Sequence, residues 1–86
     1  MDTRIVELSK DARIRKEGDS YILINIATQG LHFISCTAYD FILRVNGIQN
    51  VSEIISEMWP NISSNDASVI SNFVDKMIER RILIVK

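Results

Sequence analysis

Few residues of this chain combine a reactive type with a spacing that could do chemistry. Gly18-Asp19-Ser20-Tyr21 brushes two motifs, the serine attachment site of carrier proteins and the G-D-S of a serine hydrolase. In the first, the serine must open a helix, yet Ser20 leads into Tyr21–Ile26, an apolar strand pattern. The second needs a general base and a much larger fold, and His32 is the only histidine. Ser20 therefore reads as a turn residue. His32 cannot build a metal site alone, because no second histidine and only Cys36 among thiols could join it. It sits between Leu31 and Phe33, where it could touch a bound peptide. Cys36, near a helix start, lacks a partner thiol or base in the sequence and reads as a small packing residue. No catalytic residue, metal or cofactor is expected.

Elements with recognisable signals must position these residues. Ala12–Lys16 alternates apolar and charged, as a half-wet strand does, and Glu17-Gly18-Asp19 is a turn. Tyr21–Ile26 is apolar on both faces, the pattern of a central strand covered on both sides. Ala27–Gly30 turns into a third strand, Leu31–Ile34. Tight connections imply an antiparallel meander, which leaves Leu31–Ile34 on an edge. Ser35 then caps a helix whose Ala38, Phe41, Ile42 and Val45 share one face, with Asn46-Gly47 as its stop. Asn50 to Glu53 forms a capping box for a second helix bearing Val51, Ile54, Ile55 and Met58, and Trp59-Pro60 ends it. Trp59 is expected to cap the core between helices. Ser63–Asp66 opens a third helix reaching about Arg80, and Ile82–Val85 is an extended apolar tail. Residues 1–11, with Ile5, Val6 and Leu8, read as a partly ordered arm.

The predicted architecture is one α+β domain over residues 1–86, a three-stranded antiparallel sheet followed by three helices. At this size only roughly 60–65 % of the unfolded surface can be buried, so the core is thin. With ten Lys+Arg against eleven Asp+Glu, no basic field exists to hold a phosphate backbone. One cysteine excludes a disulfide framework, and no stretch approaches the roughly 20 apolar residues of a membrane span. MDTRIVELS has no apolar run suited to a signal peptide, so a cytoplasmic location is expected.

The third helix carries more than core packing. Ala67, Ile70, Val74, Met77 and Ile78 form one stripe at 100° per residue. Val69 and Phe73 lie beside it, in line with Lys76 and Arg80. This second shoulder is either the margin of a wide core stripe or the wall of a groove for an apolar, acidic peptide.

Three stretches of the chain resemble the PqqD-like family, peptide-recognition domains that serve ribosomally made, modified peptides. Ile34-Ser35-Cys36-Thr37-Ala38 with Phe41-Ile42 is similar to the family's segment entering the first helix. Gly47 with Val51-Ser52-Glu53-Ile54-Ile55 is similar to its glycine, loop and second-helix start. Phe73 to Leu83 resembles its closing helix and E-R-G-L-L end. Ser35 stands where the family has Asn, and Arg81 where it has Gly. The segment from Leu23-Ile24-Asn25 to Ile34-Ser35 is also similar to the standalone domains of lasso-peptide clusters.

The resemblance spans roughly Leu8 to Leu83 and implies a winged-helix-like fold without chemistry of its own. It implies that the leader of a precursor peptide adds as a fourth strand to the edge Leu31, His32, Phe33 and Ile34. Val69, Phe73, Lys76, Met77 and Arg80 of the third helix would form the facing wall. The implied partners are the precursor peptide and a separate modifying enzyme or leader protease, with no nucleic acid and no membrane. The domain itself is expected as a monomer or weak homodimer. The rival classes are a winged-helix DNA-binding domain, which the few cations of the third helix serve poorly, and a small structural subunit of a complex.

Overall fold

A computed structural model describes residues 2–86, so Met1, the first residue of the predicted arm, lies outside it. The elements run β1 (Val6–Leu8), β2 (Ala12–Glu17), β3 (Ser20–Asn25), β4 (Gly30–Ile34), α1 (Cys36–Arg44), α2 (Val51–Met58), α3 (Ser64–Glu79) and β5 (Leu83–Val85). The architecture is α+β, with β2, β3 and β4 forming an antiparallel meander in sequence order. Gly18, at φ +59°, supplies the left-handed residue that the β2–β3 turn needs. Ser20 is already the first residue of β3, paired with Glu17, so the turn itself is Gly18-Asp19.

Three predicted caps set the three helices. Ser35 accepts from Ala38 N–H, Ser63 accepts from Asp66 N–H, and Asn50 forms a complete capping box with Glu53. Each satisfies first-turn donors that would otherwise be orphaned. Burial then follows the predicted faces. Phe41 and Ile42 of α1, Val51 and Ile54 of α2, and Val74 and Met77 of α3 meet Leu23 of β3 in one core.

The two chain ends form a second sheet that the sequence reading did not pair. β1 and β5 run antiparallel, with Val6 opposite Val85 and Leu8 opposite Leu83. Val6, Ile82 and Leu83 are fully buried. The arm is thus part of the core, not an appendage. Its backbone also holds α2, because Val51 N–H donates to Arg4 O and Ser52 N–H to Asp2 O. Arg4 pairs with Asp2 and with Asp75 of α3, and Ser71 Oγ donates to Asp2 Oδ2 at 3.0 Å.

Gly47 belongs to this region and not to a helix cap. Helix α1 ends at Arg44, with Val45 already extended. Gly47 is buried at φ +72°, its N–H donates to Val6 O at 3.2 Å, and a Cβ there would sit 3.0 Å from Glu7 Oε2. Glycine takes this backbone angle without strain and leaves room for the Glu7 and Lys86 side chains that crowd it.

Strand β3 is central, as predicted, but only one face of the sheet meets the helices. Strand alternation puts Ile14, Leu23 and Ile34 on the face that meets the helices. Ile22 and Ile24 lie on the other face, apart from the cluster under the helices, and Ile22 is buried there all the same.

Candidate functional site

Strand β4 has a partner on one side only, so one of its long edges carries unpaired main-chain groups among the described residues. The edge borders a concavity of about 340 Å³, closed on its far side by Phe73, Lys76, Met77 and Arg80 of α3. His32, Phe33 and Ile34 line the near side, and Ser35 and Ala38 close it at the start of α1. Six of the nine predicted site residues therefore meet here, and Phe33 borders the concavity from the strand edge while alternation turns its side chain to the outer face.

The other two stand apart. Leu31 is 52 % exposed and pairs with Ile24 on the outer face, so strand alternation turns it away from α3. Val69, 65 % exposed, lies further up α3. It lines a narrower cavity of about 190 Å³ with Phe41, Trp59, Ile70 and Phe73. That cavity shares Ser35, Ala38 and Phe73 with the first, and opens in turn into a hollow of about 600 Å³ around Trp59, Pro60 and Ile62. The three join into one trough along α3.

The shoulder of α3 is thus both things the sequence left open. Phe73 is half-buried and packed against the core while also lining the trough, and Met77 is core-buried with only its edge at the trough. Val69 is the free part of the wall. Trp59 does pack on the core, as predicted, but it also shapes the apolar end of the trough, which sequence reading missed. Its position before Pro60, at a helix end beside Val69, was the available signal.

Charge divides the trough lengthwise. Its apolar end lies by the first half of α3, whereas Lys76, Arg80 and Arg81 gather at the helix's C-terminal end, where they also suit the helix dipole. Arg80 Nη1 lies 3.3 Å from His32 Nδ1. Arginine can only donate, so a hydrogen bond here requires Nδ1 as acceptor and the neutral Nε2–H tautomer of His32. Desolvation, and then the charge of Arg80, lower the His32 pKa from its ordinary value.

One buried polar residue sets the distance between β4 and α3. Asn25, the last residue of β3, is the only buried polar side chain among the described residues. Its Nδ2 donates to Arg80 O and Arg81 O at 3.2 Å, and its Oδ1 accepts from Ala27 N–H and Thr28 N–H. The amide ties the turn that launches β4 to the end of α3. It satisfies carbonyls that a helix terminus otherwise leaves orphaned. The helix end itself closes with Arg81 at φ +60°, Arg81 N–H on Ile78 O and Ile82 N–H on Met77 O. This is a Schellman closure with arginine where glycine is usual, so helix α3 stops at Glu79.

Cys36 is exposed at the first position of α1, not packed as predicted. No group of three or more His, Cys, Asp or Glu residues that could hold a metal ion occurs among the described residues. No helix there is long and apolar enough to cross a membrane. No family model, curated protein or solved structure matches the chain.

Proposed function

We propose that the domain is a non-catalytic, PqqD-like recognition element that binds the leader of a ribosomally made precursor peptide. It holds the leader for a separate modifying enzyme or leader protease. The observation that carries this reading is the free edge of β4 opening onto the trough walled by α3. An extended peptide added to that edge gains main-chain hydrogen bonds, and its alternate side chains point into the trough, where pockets select among them. The apolar hollow at Trp59 and Val69 suits a large apolar side chain, and the Arg80–Lys76 end suits a carboxylate. Presenting the leader beside an enzyme raises the local substrate concentration, which is all the catalysis such an adaptor supplies. The winged-helix-like arrangement belongs to the same reading, supported by the order of strands and helices.

The test is an amide NMR titration with the leader half of a short open reading frame neighbouring its gene. The expected result is shifts concentrated at Leu31–Ile34 and Val69–Arg80. Shifts with duplex DNA and none with the peptide would replace this reading by a DNA-binding one.

A further inference from the structure

The outer face of the three-stranded sheet has an order of its own. Residues paired across antiparallel strands share a face, so the register builds two parallel rows, Arg13–Ile24–Leu31 and Arg15–Ile22–Phe33. Each runs from a cation on β2 through an isoleucine on β3 to a large apolar side chain on β4. Ile22 is buried between its neighbours in the row, but Phe33 is 70 % exposed and Leu31 beside it also stands in solvent, and neither packs on the cluster under the helices. Contiguous apolar surface of this kind, with polar groups on one side, marks a place where a protein meets something else.

We infer that these two rows are the docking surface for the enzyme that takes the bound peptide, through an apolar patch bordered by carboxylates. The inference rests on the reading of the domain as a leader-binding adaptor. Charge selects the occupant. Arg13 and Arg15 are exposed on this face, and Arg15 pairs only with Glu17, 3.7 Å away in a solvent-exposed contact that another carboxylate displaces at little cost. The Arg13 guanidinium is anchored on Lys10 O and Ala12 O, which holds its charge at the start of β2. A second copy of this chain would bring two more arginines to the same face. A surface of opposite sign complements it better.

Geometry links this face to the trough. A strand added at the β4 edge extends the same sheet, and half of its side chains join the rows beside Leu31 and Phe33. The loaded domain therefore offers a wider face than the empty one. An enzyme docked there reads the adaptor and its cargo together.

The experiment uses the purified modifying enzyme or leader protease encoded beside this protein's gene, titrated against the full chain with and without the leader peptide. R13E/R15E lies on the strand farthest from the trough, and R13Q/R15Q removes the charge with less disturbance to β2. The expected result is leader affinity within about twofold of the wild type, and enzyme affinity lower by about tenfold or more for the Glu pair and by less for the Gln pair. The wild type should bind the enzyme several-fold more tightly when loaded, roughly the gain of a modest extension of the interface. Unchanged enzyme affinity in both variants, with leader binding intact, overturns the docking surface and leaves the adaptor reading standing. Loss of leader binding by the wild type overturns the adaptor reading itself. Sedimentation that shows a dimer abolished by R13E/R15E gives the face to a second copy instead.

Discussion

The β1–β5 ribbon and strand β4 use similar residues to opposite ends. Both are short and apolar. In the ribbon, Val6 and Leu83 are fully buried, Gly47 and Val51 donate to the backbone of the arm, and Ser9 and Lys86 extend the pairing at both ends. In β4, one edge has no partner, and Leu31 and Phe33 stand in solvent. The ribbon buries Val6 and Leu83 and leaves only Ile84 and Val85 exposed, whereas β4 buries none of its residues, and the proposed function gives its exposed side chains a contact to make. Substitutions in the first should move stability and leave binding alone, and those in the second should do the reverse. Asn25 joins the two behaviours, because it is buried like the first and positions the second.

Asn25→Leu should be the most damaging of these changes. It strips partners from two carbonyls and two N–H groups, and unsatisfied buried groups cost roughly 1–3 kcal/mol each, so a net loss of about 3 kcal/mol is expected in urea unfolding. Leader affinity should fall with it even where the protein stays folded, since the β4–α3 spacing is released. Normal affinity in the folded variant would show that the amide does not set the trough. Val6→Ala, in the tied region, should cost about 2 kcal/mol of stability with no change in peptide binding. Any loss of affinity there would blur the division.

Arg81→Gly should stabilise the domain by about 1 kcal/mol, since a side chain at positive φ is strained. A lowered denaturation midpoint would mean that Arg81 makes contacts that outweigh its backbone angle. Val69→Ala should change stability by less than about 0.5 kcal/mol yet weaken the leader complex measurably by calorimetry. Phe73→Ala is the poorer probe, because Phe73 serves core and trough at once.

The smallest effect is a protonation. The folded pKa of His32 lies below its unfolded value, so the unfolded chain takes up the proton first and stability falls as pH drops below about 6.5. The loss levels off once pH passes beneath the folded pKa. A carboxylate bound between His32 and Arg80 reverses the balance and raises that pKa. Ring-proton NMR titration with and without an acidic leader should show an upward shift; no shift would place the peptide's acid elsewhere.

Much of this was legible in the sequence because it is local. Caps at Ser35, Asn50 and Ser63, the 3.6-residue periodicity and the turns each depend on a few neighbouring residues. The ribbon was hidden because its strands hold three residues each, too few for a period, and come from opposite ends of the chain. Gly47 resembled a helix stop, since positive φ is required in either role. Asn25 lay inside an apolar run and gave no sign that its amide faces a helix end. Tyr21–Ile26 implied cover on both faces, because Ile22 and Ile24, which meet no helix, have the same composition as residues under one.

The unpaired edge of β4 has a further consequence for handling and storage. An open strand edge beside an exposed Phe33 is a template for any extended chain, another copy's β4 included. The empty domain is therefore the form prone to precipitate. A strand-forming ligand of the right sequence doubles as its solubiliser, and shelf life at high concentration should follow occupancy of the edge more closely than it follows thermal stability.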